Sequence, residues 1–170
     1  MPDDSPAGRR HPSDLTDAEW RAPEPPLARR IRGRLGRTLA EVWAGSPRAH
    51  AGTTVAGFPN LFILMGPNTG LGHNSVLIML EAQIEYLLDA LDYMRRHNAS
   101  TIEPRADAQA AFVKEVQRRM EGTVWTAGGC ASWYLDRTGR NSTLWPDSTF
   151  RFRRRLARLN PAEYVTERGD

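Results

Sequence analysis

The chain has 170 residues, of which 23 are Lys or Arg, 20 are Asp or Glu and only one is Cys. This length accommodates one domain of ordinary size, and 40% hydrophobic residues suffice for a packed core. The single cysteine excludes a disulfide framework and any site that needs two thiolates. The longest apolar runs, Leu61–Met65 and Val76–Leu80, are far shorter than the roughly 20 residues of a membrane-spanning helix. The first ten residues lack the apolar stretch of a signal peptide, so we expect a soluble, cytoplasmic protein.

The basic residues are unusual in kind, since all except Lys114 are arginine. They cluster at Arg29–Arg37 and Arg151–Arg158, which keeps nucleic-acid binding as an alternative function. A codon-composition effect explains the excess of arginine better than phosphate contact does, and we therefore expect nucleic acid not to be the main partner.

The N-terminal region, residues 1–35, is predicted to be a poorly structured extension. Prolines are frequent there, and each proline fixes φ and removes a hydrogen-bond donor. A short helix around Leu15–Arg21 is the exception that the sequence permits. The following segment up to Trp43 fits one helical turn or a short strand, and both alternatives stay open.

The most informative region begins at Gly57. Phe58–Asn60 is predicted to turn, Leu61–Met65 to form a fully buried strand, and Gly66–Ser75 to form a glycine-rich loop. A helix over Val76–Arg96 follows, with Asn74 or Ser75 as its N-cap. Its apolar residues fall on one face, which we expect to be the buried one: Leu77, Leu80, Ile84, Leu87, Leu88, Leu91 and Met94.

Shorter elements complete the chain. We predict a strand at Ser100–Glu103 and a helix from Asp107 to Met120 with its apolar residues facing inward. The alternation of apolar and charged residues at Phe150–Arg153 is typical of an edge strand. Three further segments are expected to form a strand, a turn and an aromatic patch, respectively: Thr123–Trp125, Gly128–Cys130 and Trp133–Tyr134.

The strand, loop and helix over residues 61–96 are the strongest candidate for chemistry. A helix N-terminus offers unpaired N–H groups and partial positive charge, and glycines allow a ligand to approach the backbone. Gly70-x-Gly72-x-x-Ser75 nearly matches the dinucleotide fingerprint, but Glu103 follows 33 positions after Gly70 rather than roughly 20. A phosphate site and a plain strand-to-helix connection therefore both stay open.

Other potentially reactive residues have simpler explanations. His73 is the only histidine in a plausible ligand-facing position, although a lone histidine more often serves the structure. Cys130 has no neighbouring base in the sequence that would activate it. The later tryptophans are expected to be packing residues, and neither a metal-binding motif nor a catalytic carboxylate pair is evident.

Three motifs, in order, carry a family resemblance: GFPNLF, GPNTGLGHNS, and GGC-SWY followed by GRN-x-x-x-WP. Over residues 36–164 the chain resembles the C-terminal third of flavin-dependent monooxygenases of the Baeyer–Villiger type. That resemblance implies FAD and NADPH as cofactors and oxygen insertion into ketones or oxidation of N and S atoms. It also implies an α/β fold, namely the C-terminal part of a fold with two dinucleotide-binding domains, reduced here to two main helices and a few short strands.

The resemblance further implies a cofactor site. Leu61–Met65 would be the last strand of the FAD domain, and the loop after it would lie against the flavin end of the cofactor. Helix Val76–Arg96 would point its N-terminus at the pyrimidine edge of the flavin, where reduced flavin is negative. The implied cofactor-binding residues are Gly66, Pro67, Asn68, Gly72, His73, Asn74, Ser75 and Val76.

The chain departs from the family in what it lacks. Neither G-x-G-x-x-G loop occurs, nor does the Phe-x-Gly-x-x-x-His-x-x-x-Trp signature, and the catalytic arginine of the family falls in the missing part. We therefore expect a truncated monooxygenase that is inactive alone, with no assignable catalytic residue. It would associate with itself or with a complementing monooxygenase domain, and the alternative is a non-enzymatic interaction or nucleic-acid-binding protein.

Two terminal segments lie outside this resemblance. Residues 13–27 are weakly similar to the start of insertion-element transposases, which suggests that a mobile element supplied a new start to a monooxygenase gene. Residues 165–170 are expected to be a tail.

Overall fold

A computed structural model describes residues 26–71, 75–123 and 134–169 of the chain. Its helices are α1 (Leu39–Trp43), α2 (Val76–Arg96), α3 (Ala106–Met120) and α4 (Thr149–Leu156), and its strands are β1 (Ala99–Pro104) and β2 (Tyr164–Arg168). This small α/β arrangement confirms the expected fold class. Among the described residues no helix is both long and apolar enough to cross a membrane.

Several predictions concern residues outside the described ranges and stay predictions. Two of them, the helix around Leu15–Arg21 and the turn at Gly128–Cys130, lie wholly outside these ranges. Two others lie partly outside them, namely the strand Thr123–Trp125 and the aromatic patch Trp133–Tyr134. The transposase-like segment falls almost wholly among them, and the cytoplasmic location also stays a prediction.

Helix α1 resolves the alternatives left open for the segment before Trp43. The Thr38 hydroxyl accepts a hydrogen bond from the Glu41 N–H at 3.2 Å, and Glu41 Oε2 accepts one from the Thr38 N–H at 2.6 Å. This reciprocal capping box satisfies donors at the helix start. Leu39 and Trp43, four residues apart, then point into the core together.

Helix α2 has the predicted bounds but buries a different face. Its buried residues include Met79, Tyr86 and Ala90, whereas Leu77 is 65% exposed and Leu88 is 57% exposed. The expectation that the leucine-rich face is buried is therefore wrong. The helix instead packs through its rows of small and aromatic residues, because these are the rows that face β1 and α4.

Strands β1 and β2 pair antiparallel, with Ile102 opposite Thr166. The other edge of β1 is covered by Asn60, which donates its N–H to the Ile102 carbonyl and accepts the Ile102 N–H on its side-chain oxygen. Residues 165–168, expected to be a tail, thus belong to the sheet. The β1 edge that Asn60 occupies is closed to further pairing at Ile102.

The buried strand expected at Leu61–Met65 is not formed. A single bridge joins Phe62 to Thr54, and the Ile63 N–H donates to the Thr53 carbonyl at 2.7 Å. The segment is only partly buried, and Met65, at its end, is 39% exposed with a φ of 56°. A fully buried strand needs a neighbouring strand on each side. The described residues supply only a short backbone partner, Thr53 and Thr54, on one side.

The edge strand expected at Phe150–Arg153 is wrong, because these residues lie in α4. The Ser148 hydroxyl accepts the Arg151 N–H and caps the helix start. Phe152 is fully buried, whereas Phe150 is 72% exposed. Four residues of alternation fit a strand, but the longer spacing from Phe152 to Leu156 is the helical one.

Two hydrophobic clusters form the core. The larger one joins α2, α3, α4 and both strands, and the smaller one surrounds Trp43, Val55 and Phe58. Ala28, from a short 3-10 helix over Pro26–Arg29, is buried in the smaller cluster. The described part of the segment 1–35, which was expected to be a poorly structured extension, therefore contributes to the core.

Candidate flavin-facing site

The glycine-rich loop after Met65 is tightly folded over its described part, residues 66–71. The Thr69 hydroxyl donates to the Gly66 carbonyl at 2.6 Å and closes a turn. Asn68 has a φ of 59°, a left-handed conformation that asparagine tolerates well. A Cβ atom at Gly66 would lie 2.3 Å from the Gly52 carbonyl oxygen, so only glycine allows this approach of the two backbones.

One buried amide connects helix α2 to this loop. Gln83 has no exposed surface, and its side-chain oxygen accepts the Met65 N–H at 2.9 Å. Its amide nitrogen donates to the Gly52 carbonyl and to the Thr53 hydroxyl, both at 3.0 Å. The helix thereby holds the start of the loop and the turn beneath it in one arrangement.

A second side-chain amide, that of Asn68, connects the loop to residues 141–144. The Asn68 side chain donates to the carbonyls of Asn141 and Leu144, both at 2.9 Å, and the Gly70 N–H donates to the Thr143 carbonyl at 2.8 Å. Gly70 and Leu144 form a parallel bridge. The structure thus brings together two of the motifs that carried the family resemblance, GPNTG and GRN-x-x-x-WP.

The structure describes five of the eight predicted cofactor-binding residues. Pro67 and Asn68 are buried, and the Asn68 side-chain amide donates to backbone carbonyls of the same chain, so both residues contribute to the shape of the loop. Ser75 and Val76 are exposed at the start of α2. The remaining three, Gly72, His73 and Asn74, lie outside the described residues.

The start of α2 suits an electron-rich ligand. Ser75 occupies the N-cap position with extended backbone, although its side chain makes no capping hydrogen bond. No acidic residue occurs in the first turn of the helix. The partial positive charge of the helix end therefore has no carboxylate in the first turn of α2 to offset it.

His50, which the sequence analysis did not single out, is the centre of a separate buried cluster. Its Nε2 lies 3.1 Å from Glu163, and its ring packs edge-on against Phe112 and Tyr164. Burial lowers the pKa of His50 below its ordinary value, and the attraction of Glu163 opposes this only in part. No spacing or motif in the sequence marks His50, because its partners are distant along the chain.

Glu163 itself is held as a carboxylate. Burial acts to raise the pKa of Glu163, but the two hydrogen bonds from Arg155 outweigh this effect and keep the pKa below its usual value. Behind it, the hydroxyl of Tyr164 bonds to those of Tyr86 and Thr54, each at 2.9 Å. Burial raises the pKa of Tyr86, so this hydroxyl stays protonated.

A cleft of about 500 Å³ opens beside this cluster, with Phe112 and Arg155 in its wall. Its acidic residues are engaged in ion pairs within the chain: Asp107 with Arg105 and Glu163 with Arg155, both at 2.8 Å. The same is true of Glu115, which pairs with two arginines of α3. The cleft therefore offers no unpaired carboxylate for acid–base chemistry, and no group of residues within the described ranges could hold a metal ion.

Within the described residues, internal ion pairs engage one arginine of the first cluster and four of the second. Arg34 contacts Glu103 at 2.6 Å and Glu167 at 2.8 Å. In the second cluster four arginines pair with acids of the same chain: Arg151 with Asp147, Arg153 with Glu85, Arg155 with Glu163 and Arg158 with Asp89. These pairs give the arginines a structural use and leave less charge for phosphate contacts.

Comparison with protein-family models finds no match, whereas curated proteins match strongly. The chain is 50% identical over 135 residues to a Baeyer–Villiger monooxygenase of Pseudomonas aeruginosa, covering 79% of this chain and 26% of that protein. It is 48% identical over 143 residues to one of Streptomyces coelicolor, covering 82% and 27%. An FAD-binding monooxygenase of Aspergillus niger, ktnD, is 34% identical over 140 residues, covering 80% and 23%.

Solved structures agree with these relatives. An oxidized steroid monooxygenase bound to NADP has 31% identity and a TM-score of 0.69, covering 81% of this chain and 26% of that one. Cyclohexanone monooxygenase from Rhodococcus sp. Phi1, bound to NADP+, has 25% identity and a TM-score of 0.70, covering 84% and 28%. The chain is therefore similar, over about 80% of its length, to Baeyer–Villiger monooxygenases, and it spans about a quarter of the length of these relatives.

Proposed function

We propose that this chain forms the flavin-facing loop and helix of a monooxygenase that uses FAD and NADPH, and that it is inactive as an isolated chain. The observation that carries the proposal is the hydrogen-bonded loop at Gly66–Gly70, which leads to the exposed start of α2. It is supported by the 50% identity, over 135 residues, to a Baeyer–Villiger monooxygenase. Of the residues that the resemblance assigns to the cofactor, Asn68 is held by the Asn141 carbonyl, and Gln83 holds Met65, the residue directly before Gly66.

The described residues fit one end of FAD. Ser75 and Val76 would hold the pyrimidine edge of the flavin through the N-terminus of α2, where no acid repels it. Gln83 and the Asn68–Asn141 contact would keep the loop at a fixed distance from that edge. When bound, FAD supplies the redox chemistry of oxygen activation, with NADPH as the hydride donor.

The pyrophosphate of FAD has no comparable holder in the sequence. No G-x-G-x-x-G occurs in the 170 residues, and the near match at residues 70–75 belongs to the loop that would face the ring system. Because this chain contributes only the flavin end, we propose that turnover requires a complementing monooxygenase domain. Its substrate would be a ketone, an amine or a sulfide.

Titration of the purified chain with FAD, followed by flavin fluorescence, tests the binding. We expect saturable binding in the micromolar range, about 8 kcal/mol or less, because only part of the cofactor is held. Absence of binding at high protein concentration would overturn the proposed flavin contact. NADPH oxidation with a ketone should stay at background, and turnover by the isolated chain would overturn the proposed inactivity.

A pair of variants locates the contact. Val76→Glu places a carboxylate at the first position of α2, which suits a helix but should repel the flavin edge and weaken FAD binding about fivefold, or about 1 kcal/mol. Ala106→Glu makes the same change at the first position of α3, also exposed, and should leave FAD affinity unchanged. Equal effects of both variants would place the flavin elsewhere.

A further inference from the structure

Helix α2 presents a continuous exposed stripe to solvent. The stripe, here called the α2 stripe, consists of Leu77, Glu81, Ile84, Leu88, Leu91 and Arg95. Its apolar members are 65%, 40%, 57% and 47% exposed, in chain order. Such a contiguous apolar surface is unusual on a soluble protein unless it forms an interface.

The spacing of the stripe is that of a helix pair. Its residues follow one another at steps of four, three, four, three and four, so that Leu77, Ile84 and Leu91 repeat every seven residues. A repeat of 3.5 residues keeps a seam facing a partner helix. The opposite face of α2 is already packed against β1 and α4, so the stripe points away from the rest of the described fold.

The charges of the stripe make it complementary to itself in the antiparallel direction. An acid, Glu81, lies near the start of the seam, and a base, Arg95, lies at its end. Glu81 makes no ion pair within the described residues, and Arg95 contacts only Asp92 of the same helix. In an antiparallel pair Ile84 lies opposite the partner's Leu88, and Leu77 lies opposite the partner's Arg95.

In this register the charged side chains lean toward each other. Glu81 and the partner's Arg95 are four residues apart along the axis, about 6 Å at 1.5 Å per residue. Side chains on a helix tilt toward its own N-terminus. Because the two helices run in opposite directions, both tilts shorten the gap, and the two-fold symmetry produces the contact twice.

We infer that a second copy of this chain packs antiparallel on the α2 stripe and forms a two-fold symmetric dimer. Ile84 and Leu88 form its centre, and Glu81 with the partner's Arg95 closes each end. One helix face per chain makes a small interface, so the dimer is weak, with a dissociation constant in the range of about 1–100 µM. This inference is independent of flavin binding.

Sedimentation equilibrium of the full chain tests the dimer. We expect the apparent mass to rise with concentration from 19.1 kDa toward twice that value and no further. A constant monomer mass up to about 0.5 mM overturns the inference. The surface would then serve another occupant, such as a complementing monooxygenase domain. Continued growth beyond the dimer also overturns it, since a two-fold contact closes on itself.

Charge reversal tests the register. Glu81→Arg and Arg95→Glu each turn two attractions into two repulsions, and each should weaken self-association about tenfold. The double variant E81R/R95E should restore it. An equimolar mixture of the two single variants should also restore it, because one chain then carries two arginines and the other two glutamates. Unchanged association of both single variants overturns the antiparallel arrangement.

Two variants distinguish specific pairing through the α2 stripe from non-specific hydrophobic association. Leu88→Glu should abolish the dimer, whereas Phe150→Glu, at an even more exposed apolar position on α4, should leave it unchanged. Both positions are exposed, so both variants should keep the helical circular dichroism of the wild type. Equal loss in both variants would show that the association is non-specific and overturn the seam.

Discussion

At the scale of single residues, Gln83 is the side chain on which the candidate site depends most. It lies on a helix but satisfies backbone and side-chain groups of two other segments. Buried polar groups that lose a partner cost about 1–3 kcal/mol each. The conformation of the loop before α2 is therefore coupled to one amide.

Gln83→Leu should lower the free energy of unfolding by about 2–4 kcal/mol, because the Gly52 carbonyl and the Thr53 hydroxyl lose their buried partner and the Met65 N–H loses a part-buried one. Urea unfolding followed by circular dichroism measures this. Gln117→Leu is the matched control, since Gln117 donates one bond, to the Asn141 carbonyl at 3.1 Å, and should cost about 1 kcal/mol. A cost for Gln83→Leu no larger than that of the control would contradict the bracing role.

His50 determines a pH dependence. Its pKa is lowered in the folded chain, chiefly by burial, so the unfolded chain binds a proton more readily. Stability should therefore be complete above the ordinary histidine pKa of about 6.5 and decline as the pH falls below it toward the folded value. Urea unfolding between pH 7.5 and pH 5.5, above the carboxylate range of about 4, measures the decline.

His50→Gln should remove much of this decline while lowering stability at neutral pH. The exposed His97, stacked on Tyr93, provides the comparison, and His97→Gln should retain the wild-type decline. If both variants kept the decline, the pH dependence would have another origin.

At the scale of elements, α4 shows how a short pattern misleads. Phe150 and Phe152 would share one face of a strand, but in a helix they diverge by about 200°. The structure buries Phe152 and exposes Phe150. A carboxy-terminal arginine row, Arg153–Arg155, also suits the negative end of a helix.

Phe152→Ala should therefore cost about 3–5 kcal/mol of unfolding free energy, through lost burial and a cavity next to Trp145. Phe150→Ala should change stability by less than about 0.5 kcal/mol. Thermal or urea unfolding of the two variants compares them directly. Similar costs for both would favour the strand.

At the scale of the whole molecule, the arginines act mainly within the chain. Arg34 contacts both β1 and β2, and α2 is contacted by Arg153 of α4 and by Arg158, two residues after the end of α4. Exposed pairs of this kind contribute little energy each, about 0–1 kcal/mol. Together they neutralise much of the charge that would otherwise attract a polyanion.

We accordingly expect duplex DNA to bind no more tightly than a non-specific Kd of about 10⁻⁴ M at physiological salt. Fluorescence anisotropy with a labelled duplex at several salt concentrations measures this. Submicromolar binding with a steep salt dependence would instead support the nucleic-acid alternative, and charge reversals at Arg151 and Arg154 would then locate the surface.

Helix α2, the helix over residues 106–120 and β1 follow from the sequence, because periodicity and capping signals are local. The three motifs were likewise enough to indicate the family, and the curated relatives agree with it. At the candidate site, the sequence identified the loop and the helix start, which a glycine-rich segment before an apolar helix marks by itself.

Only the tertiary structure decided which face of α2 is buried, that 61–65 is not a strand, and that 149–156 is a helix. Each outcome depends on which backbone or side chain lies alongside, and those neighbours are distant in sequence. The same holds for Gln83, Asn141 and His50, whose respective partners Met65, Asn68 and Glu163 lie 18, 73 and 113 positions away. Local pattern fixes what a segment can become, and long-range contacts select the buried face and the hydrogen-bond partners.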